Sequence, residues 1–279
     1  MHVTVRFSNV SGNPDTPDRT RDLRGMATRF HLEDSSYTDL VAITLPCFIV
    51  RDPAAFVRMN RCFKESAKGR TGMRLAMVPF ILRHREAWRA MLARTLIKRI
   101  PSYANTSYKA LHAFKWVDDG DRERYVRYSW LPEEGELSIR RRAAGKLPHG
   151  FLQQDLYERL GRAPARPIRF SLEVQLASQE DLRTGRVHDP TAIWPTKHER
   201  IATALAGDER PRFVTAGVLE LTSLDDAHAT QGDAIGFDPM NLADGIIASD
   251  DEILRFRRRA YELSFMERTG ALTRADAAQ

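Results

Sequence analysis

Arg257 and Tyr261 are four residues apart in a segment whose acidic start at residues 250–252 favours a helix. Residues four apart share one helical face, so we expect the guanidinium to lie beside the phenol oxygen. A free tyrosine has a pKa of roughly 10 and is neutral at pH 7. A neighbouring cation together with a ferric ion favours the phenolate, which is an axial ligand of haem iron. Such a pair is more often an ordinary surface contact, so the ligand hypothesis needs further support.

Arg6 and Ser8 form a second pair of interest. Val3, Val5 and Phe7 alternate with polar residues, which predicts a strand with Arg6 and Ser8 on one face. On an inward face, the guanidinium could meet a carboxylate and the hydroxyl a polar active-site group. From these residues alone, a solvent-facing strand is the better interpretation.

The remaining candidates carry weaker signals. The eight histidines show no spacing typical of metal ligands, and no glycine-rich phosphate loop occurs. Cys47 could ligate haem as a thiolate, but its apolar surroundings at residues 45–50 predict a buried small hydrophobe. With only Cys62 as a second cysteine, no disulfide framework is predicted.

Composition limits the classes of protein that fit. The net charge of +6 comes from basic residues scattered among 37 acidic ones, which disfavours a nucleic-acid track and makes a nucleic-acid-binding protein a remote alternative. The longest mainly apolar run, residues 40–50, is too short to span a bilayer. The first residues lack the features of a signal peptide, so we expect a cytoplasmic protein that does not enter the membrane.

Four zones must position these residues. The chain is strand-like to about residue 56 and helical over residues 53–100, and the next zone is rich in β-structure. That zone holds a hairpin around residues 118–121 and strands at 168–176 and 213–224. A final helix is expected over residues 249–268, with Ser249 as its N-cap. This order predicts an α+β protein built around an antiparallel sheet or barrel.

Several blocks resemble the core blocks of haem catalases in order and spacing, over nearly the whole chain. They are VRFSNVSGN (5–13), RDLRGMA (21–27), DLV (39–41), FIVRDP (48–53), HAF (112–114), IWP (193–195) and FDPMNLADGI (237–246), followed by Arg257 to Tyr261. Within that family, the chain is most similar to the small bacterial catalase-related peroxidases.

The resemblance implies an eight-stranded antiparallel barrel with surrounding helices and a buried haem b. It implies one domain over residues 1–270, a tail at 271–279, peroxide and a small-molecule reductant as partners, and leaves a homo-oligomer open. Its residue roles are Tyr261 as axial ligand, Arg257 as its support, Arg6 and Arg268 at the propionates, Ser8 behind the distal histidine, Phe56 on the distal haem face, and Gly25, Phe48 and Ile253 lining the pocket.

Two departures from the family pattern bear on activity. Ile43 stands where the family has its distal asparagine. The family's distal histidine lies a few dozen residues before the block that here begins at Val5, and His2 is too close to serve. We therefore expect the distal histidine and the first barrel strand to be missing, with an unpaired sheet edge. The leading hypothesis is a haem peroxidase with impaired turnover, and the alternative is a haem-binding remnant without enzymatic activity.

Overall fold

The structure of the protein is a computed structural model that describes residues 1–10, 15–66, 78–95, 97–194, 212–225 and 235–269. Within these ranges, the side chains of residues 63–66, 264 and 267–269 are not described. The predicted tail at 271–279 and the side chain of Arg268 therefore lie outside the described residues. None of the helices in the described ranges is long and apolar enough to cross a membrane.

An antiparallel sheet forms the centre of the fold, as predicted. Its strands are β1 (Val3–Asn9), β2 (Arg24–His31), β3 (Tyr37–Ile43), β4 (Tyr108–Lys109), β5 (Phe114–Val117), β6 (Glu123–Pro132), β7 (Ile168–Leu176), β8 (Arg212–Leu221) and β9 (Ile246–Ala248). The order β1-β2-β3-β4-β6-β5-β9 runs along one path, and β7 joins β6 to β8. The expected hairpin is present, with Val117 opposite Glu123 across the turn.

The prediction of a closed eight-stranded barrel is wrong for the described part of the chain. Closure requires a hydrogen-bonded ladder between the two terminal strands of the sheet. Here β1 pairs only with β2, and β8 pairs only with β7, among the strands that the structure describes. The sheet is therefore antiparallel but open.

Helices pack around this sheet. They are α1 (Pro53–Ser66), α2 (Ala87–Thr95), α3 (Arg141–Ala144), α4 (Phe151–Leu160), α5 (Gln179–Arg183) and α6 (Glu252–Thr269), and residues 78–83 are also helical. The helical zone predicted for residues 53–100 is thus present as separate pieces. The apolar run at 40–50 is a strand only as far as Ile43, because Pro46 cannot donate to a sheet ladder.

The start of α6 differs from the sequence prediction. Asp251, not Ser249, caps the helix, since its Oδ1 accepts from the amides of Ile253 at 2.9 Å and Leu254 at 3.2 Å. Ser249 is buried, and its hydroxyl has no hydrogen-bond partner among the described residues. A carboxylate at this position also interacts favourably with the positive end of the helix dipole.

Two apolar clusters lie on opposite faces of strands β1 to β3. Val5 and Phe7 pack against the larger cluster, which contains Trp130. The second cluster lies between the other face and the helices, and it includes Ile43 and the fully buried Ile253. Because side chains alternate along a strand, Arg6 and Ser8 point to the side of the second cluster, not into the larger core.

Candidate functional site

Four side chains form a continuous hydrogen-bonded series that ends at a phenol oxygen. Asp251 Oδ2 lies 2.6 Å from His112 Nδ1, and His112 Nε2 lies 2.7 Å from Arg257 Nη1. Arg257 Nη2 donates to Tyr261 Oη at 2.6 Å. Asp251, His112 and Arg257 are buried, whereas Tyr261 is half-buried. The expected contact between Arg257 and Tyr261 is therefore present, and two further residues support it.

The imidazole in this series is neutral at physiological pH. Burial lowers the pKa of His112 to about 4, and the nearby Arg257 acts in the same direction, while the hydrogen bond to Asp251 opposes them. A neutral imidazole has one donor and one acceptor nitrogen. Nδ1–H therefore donates to Asp251, and Nε2 accepts from Arg257. This tautomer leaves the positive charge on Arg257, next to the phenol oxygen.

Short-range and long-range structure together place these groups. His112 lies two residues before β5, and β5 pairs with β9, the strand that leads into α6. The pairing of Phe114 with Ala248 brings the histidine beside the first turn of α6. Asp251 then uses one carboxylate oxygen to cap the helix and the other to bind the imidazole. The helix cap and the hydrogen bond to the imidazole together fix the orientation of this carboxylate.

Aromatic side chains form an apolar wall beside this series. The ring of Phe48 is 5.6 Å from that of Phe56 and 5.8 Å from that of His112. Phe56 also makes an edge contact with Phe256 at 6.0 Å. Together with the buried Ile253, three of the predicted pocket residues therefore lie in one cluster.

On the opposite side of the second cluster, the sheet presents Ser8, Gly25 and Ile43 in one row across β1, β2 and β3. A Cβ atom on Gly25 would lie 2.6 Å from Ser8 Oγ, so the missing side chain makes room for the hydroxyl. Ser8 is exposed and Ile43 is half-buried. The row thus combines a hydroxyl at the edge of the sheet with an apolar side chain two strands away.

Arg6 lies on the same face of β1 as Ser8. Its Nη1 donates to the carbonyl of Ile235 at 2.9 Å, and its guanidinium carbon lies 4.8 Å from the centre of the Phe237 ring. Between these two residues, a Cβ on Gly236 would lie 3.0 Å from the ring of Phe265. Residues 235–237 therefore connect Arg6 to α6 close to the turn that carries the predicted ligand.

Cys47 takes no part in this arrangement. It is fully buried in the second apolar cluster, as predicted. Burial raises the pKa of its thiol to about 11, so it remains protonated at neutral pH. A protonated thiol is a poor metal ligand, because the thiolate is the form that binds metals.

Sequence reasoning missed His112 and Asp251. The histidine lies in one of the catalase-like blocks, and in the sequence Asp251 is one of three consecutive acidic residues at the predicted start of the last helix. The two residues are 139 positions apart, so no local pattern predicts their contact. The available signal was that His112 lies within a block that resembles the family and that Asp251 lies between two such blocks, 237–246 and 257–261.

Comparisons with known proteins identify the family of the chain. A family model described as Catalase matches residues 1–275. A catalase-related peroxidase of Mycolicibacterium paratuberculosis is 35% identical over 268 residues, covering 95% of this chain and 77% of the relative. One of Synechococcus elongatus is 29% identical over 272 residues, covering 97% of this chain and 74% of the relative.

Solved catalases share the fold. A bacterial catalase superposes with a TM-score of 0.79 at 24% identity, and a fungal catalase with 0.81 at 23% identity. Each alignment covers 96% of this chain, which spans 51% of the bacterial structure and 52% of the fungal one. The family model and the relative at 35% identity carry the assignment: the chain belongs to the catalase family, which implies a haem cofactor.

Proposed function

We propose that this protein is a haem b peroxidase that reduces hydrogen peroxide or an organic peroxide at the expense of a small-molecule reductant. The observation that carries the proposal is the series Asp251–His112–Arg257–Tyr261, which directs one positive charge at one phenol oxygen. Phenolate is a known axial ligand of haem iron. An ordinary surface tyrosine would not be hydrogen-bonded to a series of three buried polar side chains.

The described residues fit a haem. Tyr261 offers the oxygen ligand, and Phe48 and Phe56 offer an apolar wall against which a porphyrin ring can pack. Arg6, whose Nη1 donates to the carbonyl of Ile235, is the residue that the family resemblance implies for one propionate. Arg268 would meet the second propionate, as the family resemblance implies. When bound, haem supplies an iron centre at which the peroxide O–O bond can be reduced.

The proximal residues would hold the ligand in its charged form. His112 accepts from Arg257 as a neutral imidazole, because burial lowers the pKa of the histidine, so the guanidinium is the charged group beside the phenol oxygen. Asp251 fixes the tautomer that makes this possible and also ties the histidine to the start of α6. A cation hydrogen-bonded to a phenolate stabilises it electrostatically. The role of these residues is therefore to position the ligand and to supply charge.

The distal face would hold little acid–base chemistry. Ser8 is the residue that would orient a distal histidine, yet among the described residues no histidine hydrogen-bonds to it. Ile43, two strands away in the same row, has no donor or acceptor in its side chain. General acid–base catalysis contributes roughly 10²–10⁴-fold to such reactions. We therefore propose that these 279 residues turn peroxide over slowly.

A second candidate function is haem binding without turnover. The observation that favours it is that Ile43, which is apolar, lies in the same row across β1, β2 and β3 as the polar Ser8. Both candidates require the same proximal ligand, so they differ only in the rate of peroxide consumption.

The test is reconstitution of the full chain with haem. We expect about one haem per chain from a single axial ligand, a Soret band of a tyrosinate-ligated ferric haem, and measurable peroxide consumption with an electron donor. A Soret band without peroxide consumption above that of free haem would support the second candidate. A folded chain that binds no haem would contradict both.

A further inference from the structure

A second cluster of polar side chains lies away from the proximal series, where α1 begins near the turn before α2. It consists of Asp52, His84 and Glu86, and one potential ligand atom from each lies within 4.8 Å of the other two. His84 Nδ1 is 3.0 Å from Glu86 Oε1. The cluster joins two helical segments that are separated by more than a dozen residues in sequence.

The histidine in this cluster is held rigidly. It is only 8% exposed, and its ring stacks on that of Phe80 at 4.5 Å and 30°. Phe80 itself is buried in the second apolar cluster. The Nε2 atom is buried and has no hydrogen-bond partner among the described residues. Nδ1 is the ring nitrogen that faces Glu86, and Nε2, on the other side of the ring, is left without a partner.

The charge of the cluster is also unbalanced. Glu86 pairs with His84, but within the described ranges neither Asp52 nor Glu86 forms an ion pair with a lysine or an arginine. The Glu86 side chain is only 15% exposed. Two carboxylates close together without a lysine or an arginine beside them repel each other, and a divalent ion between them would reduce that repulsion.

We propose that Asp52, His84 and Glu86 bind a divalent transition-metal ion, with Zn²⁺ as the best chemical match. One imidazole and two carboxylates form a mixed nitrogen and oxygen set that suits zinc, whereas Mg²⁺ and Ca²⁺ prefer oxygen alone. Ligand atoms about 2.0–2.2 Å from a tetrahedral zinc lie closer together than 4.8 Å, so binding would draw the three side chains inward. Three protein ligands leave a fourth position for water.

Binding at this site would stabilise the wall of the candidate haem pocket. Asp52 immediately precedes α1, and its Oδ1 accepts from the amide of Ala55 at 2.7 Å. Phe56 follows in the first turn and contacts Phe48 and Phe256. An ion that fixes Asp52 to the segment before α2 therefore holds the start of α1 in place, whether or not haem is bound.

The test measures zinc and haem separately on the full chain. After dialysis against a chelator, the protein is titrated with Zn²⁺, and bound zinc, the dissociation constant and the thermal midpoint are determined. Asp52→Asn, His84→Gln and Glu86→Gln each remove one ligand or its charge, and we expect each to weaken zinc binding by roughly tenfold or more. Asp119→Asn in the exposed turn between β5 and β6 removes one charge elsewhere and should bind zinc as the wild type does.

The Asp52→Asn variant separates loss of the ion from loss of the helix cap, because asparagine caps helices as well as aspartate does. We expect it to keep the circular-dichroism spectrum and the haem content of the wild type while losing the zinc-dependent rise in thermal midpoint. Equal zinc affinity in the wild type and all three variants would overturn the proposal, as would a wild type that binds no zinc. Neither result depends on peroxide turnover.

Discussion

Arg257 Nη1 lies 2.7 Å from His112 Nε2, although the two residues are 145 positions apart in the chain. The contact converts a pair on one helical face into part of a buried network, in which each polar group has a partner. Fully satisfied networks in a low-dielectric interior are rigid, and an incomplete one is costly. The relationship therefore explains why Arg257 stays fixed at 8% exposure beside a half-buried tyrosine.

Replacing Tyr261 with phenylalanine should abolish tight haem binding and leave the fold intact. Phenylalanine retains the ring but removes the oxygen that accepts from Arg257. The measurements are haem per chain, the Soret spectrum and the thermal midpoint after reconstitution. Tyr157→Phe, at an exposed position on α4, is the matched control and should bind haem normally. Wild-type haem content and spectrum in Tyr261→Phe would show that another residue is the ligand.

Much of the fold could be predicted from the sequence because its signals are local. Strand β7 has the bounds expected from the alternation at residues 168–176, and the hairpin between β5 and β6 follows from its turn residues. The two-residue β4 and the three-residue β9 are too short to produce a pattern. Closure of the sheet could not be predicted either, since it depends on pairing between strands far apart in sequence.

The candidate site was predictable to the same extent. Helical spacing places Arg257 beside Tyr261, and strand alternation places Arg6 and Ser8 on one face. Neither rule predicts which residue contacts the other end of the Arg257 guanidinium. His112 enters the site through the pairing of β5 with β9, a long-range contact that residue spacing does not encode.

Stability should depend on pH through His112. Its pKa is about 4 in the folded chain, whereas an unperturbed histidine has a pKa of 6.5, so between these values the unfolded chain binds more protons. The stabilisation is fully present above pH 6.5 and is lost as the pH falls toward 4, by an amount on the order of a few kcal/mol. Chemical denaturation across this range would measure it.

His112→Gln removes the titrating group and should flatten this part of the pH profile relative to the wild type. Contributions from carboxylates that do not contact residue 112 are common to both proteins and cancel in the comparison, and glutamine keeps an N–H donor for Asp251. His149→Gln, at an exposed position, should leave the profile unchanged. Parallel profiles for wild type and His112→Gln would mean that the buried imidazole is not the source of the dependence.

The effect of Gly25→Ala on the free energy of unfolding should depend on the side chain at position 8. Alanine in a strand is ordinarily more stable than glycine by roughly 0.5–1 kcal/mol, but here its Cβ would meet Ser8 Oγ at 2.6 Å. The hydroxyl must then rotate, whereas the Cβ of residue 8 would remain at 3.9 Å. We therefore expect Gly25→Ala to be better tolerated in a Ser8→Ala background, with a coupling free energy of about 1 kcal/mol.

A double-mutant cycle on the free energy of unfolding measures this coupling. Gly217→Ala on β8, where an added Cβ meets no atom within 4 Å, should show no coupling to Ser8→Ala. Additive effects of Gly25→Ala and Ser8→Ala would contradict the close approach of the two residues.

Extending the chain before Met1 with a histidine-bearing strand should raise peroxide turnover. In the described residues, β1 pairs only with β2, so its other edge can accept a further strand. A histidine on that strand near Ser8 would supply the proton transfer that Ile43 cannot, worth roughly 10²–10⁴-fold in rate. The control is the same extension with glutamine in place of the histidine, which should restore the strand without raising the rate of peroxide turnover. Equal turnover by the two extended proteins, at equal haem content, would exclude this histidine as the acid–base group.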